Sequence, residues 1–310
     1  MRAVTRCPLA VCAILRDERP YLAEWIAFHR AVGVERFFLY DNGSHDDPGP
    51  LLAPWIRAGL VTLTDWPTPF AAGAQTAAYQ HCLDTQRTAA RWIAFLDIDE
   101  FLFSPAGATL PQVLGAYERH PGVVVNWQAY GTSHRNEAGD GLVIDRFLRR
   151  APRRWVRNRR VKSIVDPQAA VRPLGPHFFE FAGGAQAVTE NHTPVNVLPR
   201  SPARRRLRRW LARIPRLPVD PYAVREVSGS RVSVARLRIN HYIVRSRQEY
   251  ADKTRRYRPE AVGSPQAAYG AHHFCYHDRN DVYDPILQRY SDEVRRRMGE
   301  LATTSHLSPA

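Results

Sequence analysis

Lysine is all but missing from this chain of 310 residues: Lys162 and Lys253 stand against 42 arginines. The bias reads as a habit of the coding sequence. Against it, the two lysines mark candidate positions for a compact ammonium where a planar guanidinium would not serve. Cysteine is scarce as well, and Cys7, Cys12, Cys82 and Cys275 are scattered without CxxC or metal-ligand spacing. That argues against a disulfide scaffold and points to a reducing, cytoplasmic home. No run of 18 apolar residues occurs, so no membrane-spanning helix is expected. The basic opening MRAVTRCPLAVCAIL has too short an apolar stretch for a signal peptide and reads as a first strand. With 44% hydrophobic residues, the chain can bury a full core as one large or two small domains.

Charge is unevenly placed. Residues 1–145 carry 11 arginines against 16 acids, a net of −5, and residues 146–310 carry 33 basic side chains against 14 acids, a net of +19. The basic half would have to meet anions. Its densest stretch, Arg200 to Arg216, holds eight arginines and no acid, with Leu207, Trp210, Leu211 and Ile214 forming an apolar helical stripe. This reads as a basic helical insertion over about 200–216. It is equally suited to a solvated surface, to nucleic acid, or to an anionic membrane.

Periodicity organises the first half. Residues 10–16 read as a buried strand, and Asp17 and Pro20 open a helix on which Leu22, Trp25, Ile26 and His29 recur at helical spacing. Arg36 to Tyr40 and Leu60 to Leu63 read as strands, and Thr76 to Ala90 as a helix. This β–α alternation describes a parallel sheet with helices on its faces, in which ligands bind beyond the carboxyl ends of the strands. Asp17, Asp41, Asp65 and Asp97 each follow a strand and should gather along that edge. In the second half 123–131, 142–148, 161–167 and 235–244 look like further strands.

The run WIAFLDIDEFLF, Trp92 to Phe103, carries the strongest chemical signal. A continuously apolar strand ends in Asp97, Asp99 and Glu100. Three carboxylates crowded there repel one another and are costly to desolvate. A hard divalent cation such as Mg²⁺ or Mn²⁺ would relieve that cost. An exposed acidic turn is the competing reading.

Taken in order, the blocks CAILRDERPYLAEWIAFHRAVGVERFFLYDNGSHDD, QTAAYQHCL, DIDEF, VKSIVDPQAA, PHFFEF and INHYIVRSRQEYADKTRR resemble the glycosyltransferases of the family 2-like and family 92 group. The likeness runs over residues 8–258. It implies a GT-A fold: a mixed, mostly parallel α/β sheet with helices on both faces. A donor-binding half over 1–125 and an acceptor half over 126–310 are expected within one domain. By the same resemblance Asp97 and Asp99 would hold Mn²⁺ or Mg²⁺ against the diphosphate of a nucleotide sugar, UDP-linked by expectation. His241, ahead of His177, would complete the metal shell. Asp41 would bind the base or ribose, unless it is a turn residue before Asn42-Gly43. Arg16 and Glu18 should line the cleft, and Asp65 either contacts the nucleoside or ends its strand. Lys162 and Lys253 are candidates for the diphosphate, although Glu249 and Lys253 also have the spacing of a helical ion pair. For the base that deprotonates the acceptor hydroxyl, Glu180 is preferred over His134, Glu137 and Asp145. Trp127 could stack on a sugar or belong to the core.

The expected activity is hexose transfer, with inversion, to a saccharide or lipid-linked acceptor, from a soluble cytoplasmic protein with 200–216 as its candidate contact to the membrane's inner face. Two other readings compete. A nucleic-acid-binding protein would use the +19 half, but it gives no use to the converging acids, so nucleic acid is not the expected partner. A metal-dependent phosphohydrolase or nucleotidyltransferase would use the same acids.

Overall fold

A computed structural model of the chain describes residues 6–69, 72–199, 225–228, 232–257 and 270–304. The first strand, β1 (Cys7–Leu15), is buried on both faces. Leu9, Val11, Ala13 and Leu15 point into one core, and Ala10, Cys12 and Ile14 into another. The first core receives Leu22, Trp25, Ile26 and Phe28 from α1 (Arg19–Ala31) and Leu52 and Trp55 from α2 (Gly49–Arg57). The second receives Ala78, Tyr79, Cys82 and Leu83 from α3 (Ala74–Gln86). Continuous burial, rather than alternation, is what a strand covered by helices on both sides requires.

β1 pairs in parallel with β2 (Arg36–Asp41) and β4 (Ala90–Phe95), and β2 pairs in parallel with β3 (Val61–Asp65). The strand Val161–Val165 lies antiparallel between β4 and β6 (Gly122–Ala129). The strand Arg238–His241 runs parallel to β6 and antiparallel to β5 (Glu100–Phe103). Among the described residues this is one sheet of nine strands, with Val188–Thr189 beside β6. It is the mixed, mostly parallel α/β sheet with helices on both faces that the resemblance implies. Strands from either side of residue 125 share it.

Two element expectations are corrected. The helix expected over 76–90 stops at Gln86, because Ala90 already belongs to the ladder with Cys7. Residues 142–148 do not make a strand; Val143–Arg146 is a short helical turn. Its free N-terminal amides explain this: Val143 and Ile144 donate to the two oxygens of Glu24 at 2.7 and 3.1 Å. The basic 200–216 stretch lies outside the described residues.

Burial raises the Glu24 carboxyl to about 7, against those amides and Arg146. A carboxyl raised on folding contributes stability below its unfolded pKa, near 4.3, that is lost as pH rises through the folded value. Thermal midpoints should therefore fall between about pH 5 and pH 8, and Glu24→Gln should flatten that part of the profile.

Candidate active site

The DIDE segment turns the chain from β4 into β5, at the carboxyl end of the parallel strands. Glu100 is opposite His241 in the antiparallel ladder, and the Tyr242 amide donates to the Asp99 carbonyl at 2.8 Å. This register delivers His241 to Asp99. Its Nε2 is 3.3 Å from Asp99 Oδ1, while Lys253 Nζ donates to Asp99 Oδ2 at 2.7 Å. Burial alone would raise the Asp99 carboxyl, but Lys253, His241 and Arg245 outweigh it and hold the group well below the usual range.

Asp97 is more open and is gripped through one oxygen. Its Oδ1 meets Lys162 Nζ at 2.8 Å and accepts from Gln75 at 2.6 Å. Oδ2 has no protein partner among the described residues. Glu100 is fully buried behind both aspartates. Its Oε2 accepts the Asp97 amide at 2.8 Å and lies 3.5 Å from Lys162, and its Oε1 is 3.9 Å from His241 Nδ1. Burial pushes its carboxyl well above the usual value despite the Lys162 ammonium.

Asp97, Asp99, His241 and Lys253 border a cavity of about 270 Å³. Arg16 and Glu18 reach it from the loop after β1, and Gln75 from α3. Trp127, Arg157, Arg160 and His177 reach it from the second half, and Tyr250, Lys253 and Thr254 from the helix Arg247–Tyr257. Trp127 packs edge-on against His241, ring centroids 4.2 Å apart, and against His177 at 5.5 Å. His177 Nδ1 lies 2.9 Å from the Val161 carbonyl, so that nitrogen carries the proton. Burial, with Lys162 and Arg160 nearby, lowers the His177 pKa and keeps the ring neutral.

Asp97, Asp99, His241, Lys253, Arg16 and Glu18 are thus brought together, and His177 joins them. Other expected site residues fall elsewhere. Lys162, 1% exposed, lies beneath the aspartates and does not border the cavity. Asp41 and Asp65 do stand side by side on the carboxyl edge, in register. Asp41, however, accepts from the amide and hydroxyl of Ser44, so it holds the β2 turn, and Asp65 is exposed. Asp17, similarly, accepts the His45 amide at 2.6 Å. Glu180 lies outside the cavity, paired on the surface with Arg172 at 2.7 Å across a short hairpin. Glu180→Gln should leave any transfer activity within about twofold of wild type, since exposed pairs contribute little.

Gln75, Arg157 and Arg160 border the cavity without being among the residues expected there from sequence. Gln75 opens the quoted QTAAYQHCL block; the two arginines were hidden in a background of arginine.

A divalent cation fits part of this set. Cis ligands at about 2.1 Å on an octahedral ion stand about 3 Å apart, close to the Asp99 Oδ1–His241 Nε2 separation of 3.3 Å. Among the described residues no group of three His, Cys, Asp or Glu side chains is gathered to hold a metal. Mg²⁺ and Mn²⁺ sites commonly use one or two carboxylates and leave the remaining positions to substrate phosphates and water.

A model of glycosyltransferase family 92 matches residues 8–201. A glycosyltransferase family 92 protein of Oryza sativa subsp. japonica is 37% identical over 167 residues, which cover 52% of this chain and 27% of that protein. A galactan beta-1,4-galactosyltransferase of Arabidopsis thaliana is 31% identical over 167 residues, covering 48% and 31% respectively. The chain therefore spans only a minor part of these relatives' lengths. Among solved structures, S. aureus TarS 1-349 in complex with UDP aligns over 52% of this chain and 47% of that one, with 12% identity and a TM-score of 0.35.

Proposed function

This chain belongs to glycosyltransferase family 92, and from that premise we propose that it transfers a hexose from a nucleotide sugar, UDP-linked, to a saccharide or lipid-linked acceptor with inversion. The observation that carries the reading is the cavity at the strand ends, where Asp97, Asp99, His241 and Lys253 converge with Arg16, Arg157 and Arg160. Two carboxylates, a histidine, a lysine and three guanidinium groups around one cleft suit a ligand that is both polyhydroxylic and polyanionic. Lys253 offers a point charge to phosphate, and the arginines offer planar, bidentate donors. Asp97 presents Oδ2 to hydroxyl or imide donors, with Lys162 and Gln75 fixing its rotamer through Oδ1. Trp127, wedged between His241 and His177, gives the cavity an aromatic wall against which a sugar can pack.

Asp99 and His241 would hold Mn²⁺ or Mg²⁺. Such an ion neutralises charge on the departing nucleoside diphosphate. The division into a donor half over 1–125 and an acceptor half over 126–310 is part of the same proposal, as is a cytoplasmic location. So is a peripheral membrane contact through 200–216. The relative named for galactan β-1,4-galactosyl transfer makes UDP-galactose the first donor to try and a β-linked galactan the first acceptor.

The test is nucleoside diphosphate release by the full chain from a panel of nucleotide sugars, with and without Mn²⁺, Mg²⁺ and chelator. Release from a UDP-hexose that rises with acceptor and falls with chelator is expected. A folded protein that consumes no nucleotide sugar under any of these conditions would refute the proposal.

A further inference from the structure

His241 and Lys253 reach the two oxygens of Asp99 from opposite ends of one short segment. Between them the chain passes through a turn at Arg245 and enters the helix Arg247–Tyr257. We propose that Arg245 and Glu249, neither of which borders the cavity, are positioning residues that hold Lys253 on Asp99. The proposal rests on the donor-site reading above.

Arg245 has a φ of +50°, in the left-handed region that side chains other than glycine rarely adopt. Such a conformation persists only where the surroundings over-determine it. Here they do. The buried guanidinium meets Glu18 Oε2 through Nη1 and Nη2 at 3.2 and 3.3 Å and lies 3.3 Å from the centre of the Tyr21 ring. Asp99 also contributes to raising its pKa. The turn is thereby tied to the loop after β1, whose Glu18 is itself part of the cavity wall.

The helix start is tied separately. The Glu249 amide donates to Ser246 Oγ at 3.1 Å and the Ser246 amide returns a bond to Glu249 Oε2 at 3.1 Å, a reciprocal cap. The same carboxylate takes Arg146 Nη2 and Nη1 at 2.9 and 3.2 Å and the Tyr21 hydroxyl at 3.0 Å. Tyr21 therefore touches both anchors: its ring lies under Arg245 and its hydroxyl bonds Glu249. Lys253 follows Glu249 by one helical turn, so the direction of the helix decides whether its flexible stem delivers the ammonium to Asp99. Loosening either anchor releases that ammonium without removing a cavity side chain.

A structural role alone and a positioning role give different double-mutant cycles. Calorimetric UDP titrations would be run on wild type, Arg245→Met, Lys253→Met and the double variant, with thermal midpoints as the folding control. Arg245→Met should weaken UDP binding about tenfold in the wild-type background but less than twofold when Lys253 is already Met, because residues that act through one network do not add. Arg245→Lys, which keeps the charge beside Glu18, should recover part of the loss. If Arg245→Met does not fold, Glu249→Gln, which retains an acceptor for the cap, takes its place in the same cycle. Unchanged affinity in the folded single variant, or losses that multiply in the double, would overturn the proposal. Wild type that binds no UDP would instead refute the donor-site reading on which it depends.

Discussion

Asp99→Asn should lower kcat/KM for a nucleotide-sugar donor by about 10²–10³-fold, the scale seen when one preorganised electrostatic contact to a reacting group is removed. The carboxylate is only 5% exposed and both its oxygens are committed, one to His241 and one to Lys253. Asparagine keeps the shape but replaces one oxygen by a donor. A donor cannot face the Lys253 ammonium or ligate a cation. The charge that organises His241 and Lys253 is lost with it. Steady-state kinetics of wild type and variant, with circular dichroism to confirm folding, provide the check. A variant within fivefold of wild type would separate Asp99 from the chemistry.

Lys162→Met should lower stability by about 1–3 kcal/mol, because it removes the ammonium that pairs with Asp97 Oδ1 and lies beside the buried Glu100, whose carboxyl burial already pushes towards its neutral form. Lys162 is 1% exposed and is the cation shared by Asp97 at 2.8 Å and Glu100 at 3.5 Å. Burial opposes its charge, and the two carboxylates more than compensate, raising its pKa. Methionine fills a similar volume without charge, so the cost measures the orphaned carboxylates rather than a cavity. Chemical denaturation reads it directly. No loss, or a gain, would mean that the cost of burying the ammonium cancels its pairing with Asp97. This structural role replaces the diphosphate contact expected from sequence for Lys162, whereas Lys253 stays at the cavity.

The parts of the fold legible in sequence were those written as continuous apolar runs. The segments that became β1, β2 and β4 carry burial on both faces in their composition, and the β–α alternation then places their carboxyl ends together. DIDE was legible for the same reason: acids at the end of a doubly buried strand need a chemical explanation. What could not be read was which acid turns inward. Asp41 and Asp65 reach the right edge, but a serine three residues on captures the first, and the second faces solvent.

Pairings across long separations were also invisible. Glu24 caps a turn 119 residues away, Lys253 meets Asp99 across 154, and Arg245 meets Glu18 across 227. Each looks locally like an ordinary surface charge, and only the folded sheet shows that it is buried. Glu180 failed for the opposite reason: its true partner, Arg172, is close by on the same hairpin, and a surface pair accounts for it.

The measurement that tests the central claim most directly is calorimetric titration of UDP, with and without Mn²⁺, into the full chain and an Asp97→Asn/Asp99→Asn variant. Metal-enhanced binding to wild type that disappears in the folded variant is the predicted result. No UDP binding to folded wild type in either condition, or equal binding by the variant, would contradict a nucleotide-sugar donor site at these aspartates.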